Sequence, residues 1–174
     1  MTSALSLADQ GFGVHLVEKE QILGGLLTHV RRTLENADVQ DFLKARIKAV
    51  ESHPNITVHT GSVVVKSEGY VGNFKTALSD GSEFDHGAVI VATGGEEYKP
   101  SEYLYGENRW VMPQRELEKQ LAEKGPEAGS AYVMIQCVGS REEPTNYCSR
   151  ICCQDAIKNA IAIRVNQNGR WNPH

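Results

Sequence analysis

Residues 2 to 10 place small, apolar and polar side chains at helical spacing, stop at Gly11, and lead into Val14-His15-Leu16-Val17, a short apolar strand closed by Glu18. Glycine suits the left-handed position that ends a helix. A helix that feeds a buried strand is half of an α/β repeat, in which helices cover a mainly parallel sheet. The opening therefore predicts an α/β fold, and a length of 174 residues allows one domain or parts of two.

The rest of the chain continues the alternation. Asp38 caps a second predicted helix, because Val39, Phe42, Leu43, Ile47 and Val50 recur on one face before Pro54 breaks the pattern. From Ile56 to Thr93 the texture is β: Ile56–Val58, Val63–Val65, Gly72–Leu78, Phe84, and the buried run Ala88–Ala92. Asp80-Gly81 marks a hairpin, so a small antiparallel meander is expected to return into a buried parallel strand at Ala88–Ala92. Pro113 opens a surface helix to about Lys124, closed by Gly125 and Pro126. A buried strand over Ala131–Gln136, a cysteine-bearing loop and a helix from about Ser149 to Arg164 follow, and the polar tail 166–174 reads as disordered. Two parts are expected, residues 1–110 with the meander and 111–174 starting a second α/β unit with the cysteines.

Charge excludes some functions. Eighteen basic against 22 acidic side chains, a net charge of −4 and a pI near 5.9 leave no basic stripe for a phosphate backbone, so no nucleic acid partner is expected. The longest apolar stretch is too short to span a bilayer, and the N-terminus lacks a basic leader flank, so a cytoplasmic protein without a membrane partner is expected.

Two strand ends have the form of a nucleotide site. A carboxylate closing a strand about 20 residues after a Gly-rich phosphate loop is how dinucleotide-binding units hold an adenosine ribose. Glu18 has that placement, followed by Lys19, and Gly24-Gly25 downstream would let a cofactor approach the backbone. The run Val89–Val91 likewise ends in Ala92-Thr93-Gly94, small residues that permit close passage of a ligand. A plain surface glutamate and a strand entering a tight turn are the simpler readings of the same residues.

All four cysteines fall between positions 137 and 153, as C-x10-C-x3-C-C. A scattered disulfide framework would not cluster so. Four thiolates are the usual complement of a [4Fe-4S] cluster. A structural zinc site, which would make the protein a small zinc-stabilised binding module without redox turnover, draws on closer C-x2-4-C pairs. A Cys152–Cys153 disulfide is disfavoured because adjacent Cα atoms lie ~3.8 Å apart, whereas disulfides prefer at least about 4.4 Å. Inert thiols are the third possibility. Lys158, just beyond Cys153 on the last helix, either sets a positive charge beside a cofactor or is simply solvated.

Leu7–Glu20, Gly24-Gly25, Val71–Phe74, Val91–Gly94, Glu97–Pro100 and Gln136–Arg141 together resemble the A subunit of heterodisulfide reductase, a family of iron-sulfur flavoproteins. The resemblance covers about residues 3 to 162. It implies a partial Rossmann-like FAD-binding fold of the thioredoxin-reductase type with a β meander, lacking its first strand and Gly-rich loop. It further implies an FAD held by Glu18, Lys19, Gly24, Gly25 and the Ala92-Thr93-Gly94 turn, with Val64 near the adenine. A [4Fe-4S] cluster on Cys137, Cys148, Cys152 and Cys153 is implied too, with electrons relayed or bifurcated between flavin and iron-sulfur clusters and Lys158 as the candidate catalytic side chain. The implied partners are other heterodisulfide reductase subunits and an electron-donating hydrogenase or dehydrogenase. Family members place a strand and a GxGxxG loop before the segment matched by Met1, so the sequence reads as an internal stretch. One hydrogen bond to a charged group contributes about 1.5 to 3 kcal/mol and nanomolar binding takes about 12, so the stretch alone is expected to hold FAD weakly or not at all.

Overall fold

A computed structural model describes residues 1–35 and 37–167; of the disordered tail expected at 166–174, residues 166 and 167 instead end the last helix, and 168–174 lie outside the described residues. The elements in chain order are α1 (Thr2–Ala8), β1 (Val14–Glu18), a 3-10 turn (Gly25–Thr28), α2 (Val39–Glu51), β2 (Ile56–Thr60), β3 (Val64–Tyr70), β4 (Asn73–Leu78), β5 (Glu83–His86), α3 (Gln114–Lys124) and α4 (Cys152–Gln167). The mixed α/β class expected from the sequence is what forms. Two compact units divide the chain: Met1–Thr28 with Gln40–Gly94, and His29–Val39 with Gly95–His174.

In the first unit β1 and β2 pair in parallel, from Val14 opposite Ile56 to Glu18 opposite Thr60, with α2 in the connection between them. Parallel neighbours need such a crossover because their ends lie at opposite edges of the sheet. Ala4, Leu5 and Ala8 of α1 bury against Leu23, Val50 and Ile56. Gly11 takes φ +91°, the left-handed turn that redirects the chain from α1 into β1. On α2, Leu43 and Val50 are buried, but Phe42 is 51% exposed and lies under the Arg46 guanidinium. One helical step turns the side chain by about 100°, so with Leu43 on the core-facing stripe Phe42 falls at its margin.

The meander forms as β3-β4-β5, antiparallel throughout. At the Asp80-Gly81 hairpin the Leu78 N–H donates to the Ser82 carbonyl, and Gly81 supplies φ +87°. The buried parallel strand expected at Ala88–Ala92 is absent. This segment is irregular, and Val89, Ile90 and Val91 are exposed, Val91 at 79%. Its β-branched composition favours an extended backbone, but a strand exists only through a neighbour, and among the described residues β1 and β2 pair only with each other.

In the second unit α3 and α4 pack through Leu117, Leu121 and Ile163, with Met112, Tyr132, Met134 and Ala162 against them. The strand expected over Ala131–Gln136 has no ladder partner among the described residues either. Tyr132 and Met134 face the helices while Val133 is 87% exposed, so the run keeps the two-residue alternation of a strand without its hydrogen bonds. The last helix starts at Cys152 rather than Ser149 and runs past Arg164 to Gln167. Among the described residues no helix is long and apolar enough to cross a membrane.

Candidate functional site

The cysteines sit where the loop of the second unit becomes α4. Cys137 has φ +62° and opens a tight turn in which its carbonyl accepts the Ser140 N–H at 3.1 Å, with Gly139 at φ +68° in the third position. A turn of this kind requires positive φ there, which glycine supplies without a Cβ penalty. Arg141 and Arg150 also take positive φ, +66° and +61°, so the loop is bent sharply at both ends. Cys148 accepts the Arg150 backbone N–H on its Sγ at 3.3 Å. Cys152 and Cys153 occupy the first turn of α4, where unpaired N–H groups and the positive helix end favour negative charge.

The other three cysteines all bear on the Cys153 thiol. Desolvation raises the Cys153 pKa first, followed by the charges of Cys152 and Cys137, a hydrogen bond with Cys152 and the charge of Cys148. Gathering thiolates this way is unfavourable unless a cation sits among them. Yet among the described residues no three His, Cys, Asp or Glu side chains are already arranged to hold a single metal ion. These observations are compatible. One zinc at 2.3 Å from each sulfur draws the sulfurs to within about 3.8 Å of one another. A cluster binds each thiolate through a different iron and so accepts a wider set. Four sulfur donors are the usual complement of a [4Fe-4S] cluster.

Lys158 lies on α4, with Nζ 2.9 Å from Glu118 Oε2 on α3 and 3.3 Å from Asp155 Oδ1. Glu118 also accepts the Arg31 backbone N–H at 2.9 Å. Glu118 and Lys158 line a groove of about 260 Å³ with Arg31, Leu121 and Ile161. The Lys158 ammonium is thus directed to the Glu118 carboxylate across the helix pair and to Asp155 on its own helix.

On the first unit, Glu18 ends β1 beside Thr60, the end of β2. Its Oε1 accepts the Glu20 N–H at 3.1 Å, which turns the carboxylate back over its own loop. Lys19 follows, exposed. Gly24, at φ +126°, is held by packing, because a Cβ there would press on Leu43 and Thr28. Gly25 and Gly94 have positive φ with open space where a Cβ would stand, so a ligand could reach their backbone. Ala92 and Thr93 are exposed, and Val64 begins β3 opposite Leu78, 52% exposed. Glu18 stands at the carboxyl end of the parallel pair β1–β2, the end at which ligands lie in open parallel sheets.

Three side chains missed by sequence reasoning converge in the first unit. His15 Nδ1 and His59 Nε2 share a hydrogen bond at 3.0 Å, His15 stacks on Phe84 at 3.9 Å between centroids, and His86 bonds Thr76 Oγ1 at 2.7 Å. These histidines lie far apart in sequence; only the pairing of β1 with β2 and the meander brings them together.

No known family profile matches the chain. Searching curated proteins gives a consistent answer. The iron-sulfur A subunit, form 1, of the CoB-CoM heterodisulfide reductase of Methanopyrus kandleri is 27% identical over 95% of this chain and 40% of its own length. The chain is similar to the A subunit of heterodisulfide reductase. That of the H2/formate:CoB-CoM heterodisulfide,ferredoxin reductase of Methanococcus maripaludis is 26% identical over 94% of this chain and 39% of its own length. For that of the ferredoxin/F420H2-dependent CoB-CoM heterodisulfide reductase of Methanosarcina acetivorans the values are 25%, 93% and 33%. The chain therefore spans two fifths or less of these relatives. The first alignment runs over 266 positions, more than a 174-residue chain can fill. About 100 positions of that heterodisulfide reductase protein, within the matched span, have no counterpart here.

Proposed function

We propose that this chain is an electron-transfer part of a flavin and iron-sulfur oxidoreductase of the heterodisulfide reductase A type. Cys137, Cys148, Cys152 and Cys153 are the ligands of one [4Fe-4S] cluster. Glu18, Lys19, Gly24, Gly25, Val64 and the Ala92-Thr93-Gly94 turn belong to the FAD surface of a Rossmann-like fold. The observation that carries the reading is the placement of four cysteines along one loop-to-helix segment, Cys137 in its tight turn, Cys148 in the loop and Cys152 and Cys153 in the first turn of α4. A cluster there would supply one-electron chemistry, and a flavin would supply the exchange between electron pairs and single electrons.

The chain's own residues have definable tasks. The Arg150 N–H is directed at Cys148 Sγ, and Cys152 and Cys153 stand at the N-terminal end of α4, where backbone N–H groups lack helical partners. Glu18, oriented by the Glu20 N–H, would accept ribose hydroxyls. Lys158 keeps a positive charge paired with Glu118 and Asp155. The proposed setting is the cytoplasm, alongside further heterodisulfide reductase subunits and an electron-donating hydrogenase or dehydrogenase. The relatives' names carry H2, formate, ferredoxin and F420H2 as reactants, in keeping with such donors.

Anaerobic reconstitution with iron and sulfide tests the reading. The expected product is brown, bleaches on reduction, and loses most of its iron when Cys148 or Cys152 is replaced by Ser, since a cluster one thiolate short is labile. Zinc that iron cannot displace, or full iron loading in both variants, overturns it.

A further inference from the structure

The cysteine turn has a neighbour that no ligand assignment includes. The Tyr98 ring lies against Gly139, so closely that a Cβ at Gly139 would overlap three ring carbons. Gly139 occupies the turn closed by the Cys137 carbonyl and the Ser140 N–H, two residues along the chain from Cys137. The ring is itself anchored: the Tyr98 hydroxyl donates to the Glu102 carboxylate at 3.4 and 3.5 Å, and the Ser101 N–H donates to Glu102 Oε2 at 2.8 Å. A half-exposed tyrosine is thus pinned at its tip and laid against a glycine.

Resting on the cluster reading above, we propose that Tyr98 is a positioning residue for the cysteine site. Its ring holds the Cys137–Ser140 turn closed, so that Cys137 stays with Cys148 of the loop and with Cys152 and Cys153 at the start of α4. The physical reason lies in the loop. Cys137 and Gly139 both sit in left-handed backbone, a conformation a non-glycine residue leaves readily unless packing opposes it. Among the described residues the ring is what packs on Gly139 at the Cβ position, where any side chain would exclude it. The contact with Gly139 is made by ring carbons and the long hydroxyl bonds to Glu102 only supplement it, so phenylalanine should keep the turn closed.

Two measurements separate this proposal from the reading it rests on. The first uses the metal-free chain with Cys148, Cys152 and Cys153 replaced by Ser, leaving Cys137 as the reporter. Loosening the turn in Tyr98→Ala should speed the reaction of Cys137 with a soluble aromatic disulfide about ten-fold, a local-opening effect, while Tyr98→Phe stays near the parent rate. An unchanged rate in Tyr98→Ala, or a Tyr98→Phe rate as fast as that of Tyr98→Ala, overturns the positioning role whether or not the chain binds iron. The second measures transfer of iron from the reconstituted chain to a chelator, expected about ten-fold faster in Tyr98→Ala and again restored by Tyr98→Phe. Failure of the parent chain to take up iron counts against the cluster reading alone, because the first measurement needs none.

Discussion

At the scale of residues, the histidine group of the first unit gives the chain a pH response. Desolvation pushes the His15 pKa below its usual 6.5, and the charges of His59 and His86 push it further. The unfolded chain then binds more protons than the folded one near that pH. Stability is therefore complete above 6.5 and falls as pH drops through 6.5 toward the lowered folded value. The thermal midpoint, followed by circular dichroism, should fall between about pH 7.5 and about pH 5.5, and His15→Gln should flatten that slope. An unaltered slope in the variant would assign the titration to other groups. Asp80 acts in a separate acid window. Hydrogen bonds from Ser62 and Ser82 hold its pKa at about 2, so its contribution is present above the ordinary 3.8 and is lost as pH falls toward 2. Neither group was legible in the sequence, because no spacing rule relates positions 15, 59 and 86 or pairs Ser62 with Asp80.

At the scale of elements, helical spacing, capping and turn residues located the described α-helices and the meander, and strand-like composition misled at two apolar runs. Ala88–Ala92 and Ala131–Gln136 have strand composition, but strand formation depends on a partner's N–H and C=O groups, which a single segment cannot encode. The difference has a measurable consequence. Val50 on α2 is fully buried, so Val50→Ala should cost about 2 kcal/mol in urea unfolding. Ile90 is 57% exposed, so Ile90→Ala should change stability by less than about 0.5 kcal/mol. A cost for Ile90→Ala comparable to that of Val50→Ala would falsify the exposed placement and restore the buried strand. The start of α4 shows the same division. The sequence pattern placed a helix after the cysteine loop, whereas the loop's own hydrogen bonds moved its first residue to Cys152.

At the scale of the whole molecule, the two compact units separate the proposed chemistry, with Glu18, Gly24, Gly25 and Gly94 in the first and all four cysteines in the second. Leu121, 3% exposed on α3, belongs to the core that supports α4, whereas Val50 belongs to the other core. Leu121→Ala, a loss of about 2 to 5 kcal/mol, should therefore lower iron retention after reconstitution. Val50→Ala should leave it unchanged, and equal loss in both variants would mean that the units do not act separately. The α/β class, the helices, the hairpin at Asp80-Gly81, the clustering of cysteines and the likeness to the heterodisulfide reductase A family could all be read from the chain of residues, because each rests on local spacing or on runs of residue types. Folding had to settle the rest: that Cys137, Cys148 and Cys152 bear on the Cys153 thiol, that Lys158 pairs with Glu118 and Asp155, that Tyr98 covers Gly139 and that two apolar runs form no ladder. Those outcomes depend on which distant segments meet, and the free energy of a contact belongs to both partners at once.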